Sequence, residues 1–417
     1  MLKANTRPTI NVIGKRAWMS SVAIFGLAFA IYWFSARLLE RTESPDAAYF
    51  NYLADAFLDG RLYLIDPPST DDLTFFEGQW YVAFPPLPAL LLLPWAAIAG
   101  VEQVNTVLFG ALMGAINVVL AFLLVQTLAR RGWTRLGLID NLWLTVLFGV
   151  GTVHWYVSTL GSVWFVSQIC TVTFMLLAGW IAAASGSALF SGAALALAML
   201  ARPHVALCYP LLLAMGIEHQ RERTGKTDAA LWIRWGSLSL APLALSAAFL
   251  LWYNQARFNN PFDFGYLQQN IKDDLRADLQ TYGQFDLHYV PHNLWAMLLA
   301  GPVWDAAERR IMPTIEGMSI LLTTPALLYL FNVVQRSIVV FGAWIAWGLL
   351  LIPLLTYYNT GWWQFGYRFS LDFMTPALVL LAFGAGARVG WRMRILILIG
   401  VLVNAWGVWW YFNPRFF

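Results

Sequence analysis

Runs of about 20 apolar residues recur along this 417-residue chain, and they limit its fold more than any other feature. A stretch of that length is what an α-helix needs to cross the hydrocarbon core of a bilayer. Of all residues, 59% are hydrophobic and only 12% are charged, which is about half the charged share of a typical soluble domain. The sequence therefore predicts a polytopic membrane protein and excludes a disordered chain, a coiled coil and an ordinary cytosolic enzyme.

We predict an all-α fold with about 11 transmembrane helices. The first span follows Lys3, Arg7, Lys15 and Arg16 and covers residues 17–39, which is too long for the apolar core of a cleavable signal peptide. The other predicted spans lie at residues 105–128, 139–157, 163–184, 188–201, 203–217, 232–253, 313–332, 337–356, 370–387 and 395–412.

Two long polar segments interrupt this single membrane domain, which we take to extend over residues 1–417. The first loop covers residues 40–104 and the second covers residues 254–312. Long loops on a compact helical domain usually carry function. In the first loop, the apolar spacing after Pro45 predicts a juxtamembrane helix. The apolar run at residues 84–99 is too short to cross the bilayer, so it predicts a second juxtamembrane helix, either interfacial or re-entrant.

The distribution of basic residues orients the spans. The segments that the span order places in the cytoplasm hold 15 of the 26 Lys and Arg residues but only four of the 23 acidic residues. By the positive-inside rule, we expect a cytoplasmic N-terminus and both long loops on the outer face. Because the sequence has no Asn-x-Ser/Thr sequon, we expect a bacterial inner membrane, whose outer face is periplasmic.

The common fingerprints of nucleotide and metal sites do not occur in the sequence. It contains no Walker A loop, GxGxxG, HExxH or CxxC motif. Cys170 and Cys208 lie in apolar runs and form neither a disulfide framework nor a metal site. His288 and His292 are one helical turn apart, but Pro291 lies between them and no third ligand is evident. We therefore predict no metal site.

Four short motifs stand out near the ends of the predicted spans. An acidic residue, Asp46, follows the first span, and Phe-Pro-Pro-Leu-Pro occupies residues 84–88. Residues 193–203 are mostly small and end in Arg202-Pro203, and residues 364–369 precede a late span. Together these motifs resemble the GT-C glycosyltransferases, in particular the branch of protein O-mannosyltransferases and lipid A aminoarabinose transferases. That branch carries a His- or Lys-Pro-Pro-Leu element and a small-residue helix that ends in Lys or Arg, and residues 364–369 are similar to an outer-face element of related bacterial membrane proteins.

The resemblance implies a membrane enzyme that transfers a sugar from a polyprenyl-phosphate donor to an acceptor hydroxyl on the outer face. One carboxylate can serve as general base in such a reaction, with inversion at the sugar. We expect Asp46 to be this base, with Glu43 as the alternative. Many family members have two adjacent acids at this point, whereas Glu43 and Asp46 are three positions apart. The acceptor stays open among a glycan, a lipid and a protein.

Arginine side chains are the candidates for binding the donor phosphate, because guanidinium groups bind phosphate bidentately. The candidates are Arg202, Arg257 and Arg368, together with Tyr367. Each arginine also has a structural interpretation, as an anchor at a helix end or within the aromatic belt. Because arginines alone can stabilise a monophosphate leaving group, we expect no required cofactor and no obligatory divalent metal. The expected partners are the lipid-linked donor, the acceptor and membrane lipids, and not nucleic acid.

A transporter or flippase of lipid-linked intermediates is the alternative function. Ion-coupled transporters usually keep ionisable residues at mid-membrane. The predicted spans hold almost none away from their ends, and Asp372 lies near a boundary. The repeats and broken helices of carriers are not evident either. A non-catalytic membrane scaffold is a third class, but it would not need charged residues to converge near one face of the membrane.

Overall fold

The computed structural model describes residues 15–225, 227–306 and 309–412. Lys3 and Arg7, which contribute to the predicted orientation of the first span, lie outside the described residues. The described strands are β1 (Leu73–Phe76), β2 (Gln79–Val82), β3 (Val303–Asp305) and β4 (Arg310–Met312). The described α-helices are α1 (Lys15–Leu38), α2 (Tyr49–Leu58), α3 (Leu87–Ala99), α4 (Thr106–Arg130), α5 (Leu138–Val150), α6 (His154–Val157), α7 (Val163–Ser185), α8 (Ala188–Met199), α9 (Tyr209–Thr224), α10 (Ala229–Phe258), α11 (Asp273–Tyr282), α12 (Val290–Leu298), α13 (Ile320–Thr323), α14 (Ile338–Thr356), α15 (Met374–Gly384) and α16 (Trp391–Phe412).

Six of the described helices are long and apolar enough to cross a membrane, namely α1, α4, α7, α10, α14 and α16. The shorter apolar helices α3, α5 and α8 accompany them. Helices satisfy their own backbone hydrogen bonds, which is why they can lie in lipid. The chain is therefore an integral membrane protein of the all-α polytopic class that the sequence predicts.

The predicted span at residues 313–332 is not one continuous helix. The short helix α13 is followed by the 3-10 helix Pro325–Asn332. A proline disfavours the helical conformation of the residue before it, and Thr324 has φ −142° and ψ 63°. The helix therefore stops at Thr323. The 3-10 helix still packs against α15 and α16, so this segment completes the helical domain.

Successive helix contacts form the core of the domain. Helix α1 packs against α4, α4 against α7, α7 against α8, and α8 against α10. At the last of these contacts, Gly192 on α8 lies so close to α10 that an added Cβ would overlap the carbonyl oxygen of Ser239. Small residues at helix contacts allow this close approach, which provides packing energy in lipid.

The first loop folds onto the ends of the transmembrane helices. Helices α2 and α3 pack together, and β1 pairs antiparallel with β2 between them in the sequence. Their buried side chains form one cluster with the start of α7 and with Ala201, which follows α8. The backbone N–H of Leu87 donates to the carbonyl oxygen of Leu200 at 3.0 Å. The Pro-Pro-Leu element is thereby fixed at the end of α8.

The second loop begins later than predicted, because α10 continues to Phe258. The residue after the helix, Asn259, has a left-handed φ of 54° and ends it. Two backbone hydrogen bonds join this loop to the first one. The N–H of Asp72 donates to the carbonyl of Asn270, and the N–H of Asn270 donates to the carbonyl of Leu73, both at 2.8 Å. The two long loops therefore lie together on one side of the helical domain, which we call the loop face.

We expect Gly192→Ala to destabilise the helical domain by about 1–3 kcal/mol, the usual cost of overpacking. The added methyl group would meet the backbone of α10, which cannot rotate away as a side chain can. The midpoint of thermal unfolding in detergent measures this loss. The matched control is Gly348→Ala in α14, where nothing lies within 4 Å of the new Cβ. Equal midpoints for the two variants would contradict the close packing of α8 on α10.

Candidate active site

A cavity of about 690 Å³ lies at the loop face, between the two long loops and the ends of α7, α8 and α14. Much of its wall is aromatic and includes Trp164, Tyr266, Tyr357 and Trp362. A mostly apolar cavity with a few charged groups is typical of a ligand-binding site. The acidic and basic residues that line it are Asp71, Asp72, Arg202, His204, Lys272 and Arg368.

Arg202 lines the cavity because α8 ends just before it. Pro203 disfavours a helical conformation at Arg202, whose φ of −146° and ψ of 103° are extended. Nη2 of the guanidinium forms an ion pair with the carboxylate of Asp372 at 2.9 Å. Its Nε is buried and has no hydrogen-bond partner within the described residues. Arg202 is thus held by Asp372, while its Nε–H group remains available as a hydrogen-bond donor.

Arg368 is positioned by a tight loop that forms around the side-chain amide of Gln364. This amide donates to the carbonyls of Glu316 at 2.7 Å and Thr360 at 2.8 Å, and it accepts from the N–H of Arg368 at 3.0 Å. The guanidinium of Arg368 donates from Nη2 to the carbonyl of Gly361 at 3.1 Å. Its Nε and Nη1 are buried and find no partner in the described part of the chain.

The ring of Phe369 lies close to both guanidinium groups. The ring centroid is 5.1 Å from the central carbon of Arg202 and 4.7 Å from that of Arg368. A buried polar donor without a partner is costly, and a charged one more so. An anion that accepted hydrogen bonds from both arginines would remove this cost. Phosphate oxygens suit the fork geometry of guanidinium groups.

Asp372 compensates part of this positive charge. Its side chain is fully buried and forms the ion pair with Arg202. It also accepts hydrogen bonds from Nε2 of His204 at 3.0 Å and from Nε2 of Gln168 at 3.1 Å. The same Gln168 amide donates to the backbone carbonyl of Arg368 at 2.8 Å. One carboxylate therefore fixes two cavity side chains directly and the backbone of a third residue through Gln168.

Neither predicted base lines the cavity. The side chains of Asp46 and Glu43 are both exposed, and neither residue is among those that form the cavity wall. The carbonyl of Ala47 accepts from the N–H of Val163 at 2.9 Å. Asp46 therefore lies close to the start of α7, beside the position where Trp164 enters the wall.

The structure brings Arg202 and Arg368 together and places the other two predicted phosphate ligands elsewhere. Arg257 is buried and donates from Nη1 to the carbonyl of Val82 at 2.6 Å, which ties the β1–β2 hairpin to α10. Tyr367 is fully buried, and its hydroxyl is directed at a backbone carbonyl of α14. Neither residue lines the cavity.

Asp72 is a cavity carboxylate that was not singled out from the sequence. Burial raises the pKa of Asp72 to about 6, and a hydrogen bond from the Trp164 side chain and the charge of Arg368 oppose this rise. The adjacent acids Asp71 and Asp72 are the sequence signal that could have identified it. The position of Asp72 depends on contacts with the second loop, and the sequence around Asp72 does not specify these contacts.

The paired histidines of the second loop turn to different partners. His288 stacks on Tyr282 with 3.9 Å between ring centroids, whereas Nε2 of His292 is 2.6 Å from the carboxylate of Glu316. Over residues 15–225, 227–306 and 309–412, no three His, Cys, Asp or Glu side chains are grouped closely enough to hold a metal ion.

We expect Asp372→Asn to destabilise the protein by about 3–5 kcal/mol, because removing one partner of a buried ion pair leaves an uncompensated charge. Unfolding midpoints in detergent measure the change. Asp59→Asn is the control, since it breaks an exposed ion pair with Arg61 of 2.6 Å and should cost about 0–1 kcal/mol. Similar losses in both variants would contradict the importance of Asp372 for the cavity.

Comparison with known proteins identifies the fold. A crystal structure of ArnT from Cupriavidus metallidurans bound to undecaprenyl phosphate matches the chain with a TM-score of 0.50 and 14% sequence identity. The match covers 94% of this chain, and the chain spans 64% of the length of that protein. No family model matches the sequence, and no curated protein matches it either. The structural likeness confirms the predicted fold class, an all-α polytopic membrane protein whose fold is like that of ArnT.

Proposed function

We propose that this protein is a membrane glycosyltransferase that transfers a sugar from a polyprenyl-phosphate donor to an acceptor hydroxyl. The observation that carries the proposal is the pair Arg202 and Arg368, which line one cavity and keep buried guanidinium donors without partners among the described residues. A lipid phosphate would accept these N–H groups. The fold supports the proposal, because the structural neighbour ArnT was crystallised with undecaprenyl phosphate.

The proposed reaction needs positive charge at the leaving group and a base at the acceptor. As the bond between the anomeric carbon and the phosphate oxygen breaks, negative charge grows on the phosphate, and the fixed arginines stabilise it. The acceptor oxygen attacks the opposite face of the anomeric carbon while a carboxylate removes its proton. This single displacement inverts the configuration of the sugar. In this proposal side chains of the protein supply both requirements, and we expect no required metal or other cofactor.

In this proposal, the prenyl chain of the donor binds in an apolar pocket next to the main cavity. A second pocket, of about 160 Å³, is lined by side chains of α2, α3 and α10, including Phe57, Leu90 and Trp252. Pro85 lines the main cavity, and Pro86 lines this second pocket. The Pro-Pro-Leu element would thus separate the phosphate site from a groove that receives the lipid. The orientation follows the basic residues, with the N-terminus in the cytoplasm and the cavity on the periplasmic face of a bacterial inner membrane.

We expect Arg368→Gln to weaken the binding of undecaprenyl phosphate by at least about 10-fold, since hydrogen bonds to charged groups contribute about 1.5–3 kcal/mol each. Binding is measured on purified protein in nanodiscs with the lipid phosphate as the probe. The matched control is Arg223→Gln, which removes an exposed arginine at the end of α9, remote in sequence from every cavity residue. Equal affinity in the two variants would contradict the assignment of the phosphate site.

The reaction itself is tested with radiolabelled polyprenyl-phosphate sugars as donors and a membrane extract as the source of acceptors. Transfer by the wild-type protein, reduced in Arg368→Gln and unchanged in Arg223→Gln, supports a glycosyltransferase. A protein that binds lipid phosphate and moves it across liposome bilayers, but transfers no sugar from any donor, would be a flippase and would overturn the proposal.

A further inference from the structure

We propose that Asp72, rather than Asp46 or Glu43, is the general base that deprotonates the acceptor hydroxyl. This inference rests on the glycosyltransferase function proposed above. The proton moves from the acceptor hydroxyl to the Asp72 carboxylate as the acceptor oxygen forms its bond to the anomeric carbon. The sugar–phosphate C–O bond breaks in the same displacement, and the phosphate leaves with that electron pair.

The position of Asp72 is the first argument. It lines the same cavity as Arg202 and Arg368, whereas Asp46 and Glu43 are exposed and lie outside the cavity wall. Within the described residues, Asp72 takes part in no ion pair, although the charge of Arg368 acts on it. The carboxylate of Asp72 is therefore near the two arginines but is not paired with either of them. A base that acts next to a bound phosphate must be free in this way to accept a proton.

The backbone of Asp72 is fixed in an unusual conformation. Its φ of 61° lies in the left-handed region, which aspartate adopts more readily than most residues but at some cost in energy. The second loop holds it there, because its N–H donates to the carbonyl of Asn270 and its carbonyl accepts from Nε2 of Gln269, both at 2.8 Å. The indole of Trp164 also interacts with the carboxylate and favours its ionised form. Such over-determined residues cluster at active sites.

The acid strength of the group agrees with this role. Burial raises the pKa of Asp72 to about 6, so the carboxylate is ionised at neutral pH and accepts a proton more readily than an ordinary aspartate. Perturbed carboxylates in clefts are typical of functional sites. Asp71, the neighbouring acid, is exposed, and its backbone carbonyl accepts from the hydroxyl of Tyr49 at 2.7 Å. It thus lacks the burial that distinguishes Asp72.

The test compares Asp72→Asn with Asp46→Asn and with a control in the same loop. Asparagine keeps the size of aspartate and tolerates a positive φ, so the fold should be retained. We expect sugar transfer by Asp72→Asn to fall by about 10²–10⁴-fold, the usual contribution of a general base. The affinity for undecaprenyl phosphate should stay close to that of the wild type. Asp66→Asn is the control, because Asp66 also has a positive φ, of 43°, but is exposed and outside the cavity.

A second variant separates a lost base from a distorted cavity. Asp72→Gly also accepts the left-handed conformation and leaves space for a small carboxylate. Added formate should restore part of its sugar transfer, because formate can take the proton in place of the missing side chain. A loss of lipid-phosphate binding in both Asp72 variants, without rescue by formate, would assign Asp72 a purely structural part and overturn the inference.

The remaining outcomes distinguish this inference from the proposed function. Transfer that persists in Asp72→Asn but is lost in Asp46→Asn would overturn the assignment of Asp72 and leave the glycosyltransferase function intact. If the wild-type protein transfers sugar from no donor, the proposed function fails, and the assignment of the base fails with it.

Discussion

The ion pair between Asp372 and Arg202 is the interaction on which the charged cavity depends. Two guanidinium groups beside one phenyl ring would repel each other and would be expensive to bury at the edge of a membrane domain. Asp372 removes part of that cost and at the same time orients Arg202 and His204. Because Arg368 and Asp372 lie on the same 3-10 helix, Arg368–Phe373, one short segment supplies both a cavity cation and its counter-charge. In the proposed function, a bound phosphate would accept hydrogen bonds from the donors that stay without partners.

The cavity also depends on how the two long loops satisfy their backbone and polar groups at the membrane surface. Backbone polar groups that leave water must find partners within the protein. The first loop finds them in the second, through Asn270 and through the hydroxyl of Thr74, which donates to the carbonyl of Gly265 at 2.9 Å. Phe84 of the first loop lines the cavity with an apolar side chain. The second loop contributes a cation, Lys272, whose ammonium is 5.5 Å from the ring centroid of Trp362.

The sequence predicts those features that local patterns determine. Long apolar runs define α4, α7 and α14. Arg202 stands out because it is a charged residue between an apolar helix and a proline, where burying an unpaired charge costs free energy. The β1–β2 hairpin and the place of Arg257 are different, because the partner of Arg257 is the carbonyl of Val82, far away in the sequence. From the sequence, Arg257 has the same appearance as Arg202, a charge at a span end. Only the tertiary pairing shows that the hydrogen bonds of Arg257 hold the first loop.

The same distinction separates the two candidate bases. Asp46 was predicted from its place directly after the first span, which is a property of the local sequence. Asp72 enters the cavity because Gln269 and Asn270 hold its backbone from the second loop, nearly 200 positions away. In the proposed reaction, the second loop would help to enclose the cavity and would also set the position of the base. Arg202 and Arg368 do not belong to this loop, so a shift of the second loop would displace the base and leave the two arginines in place.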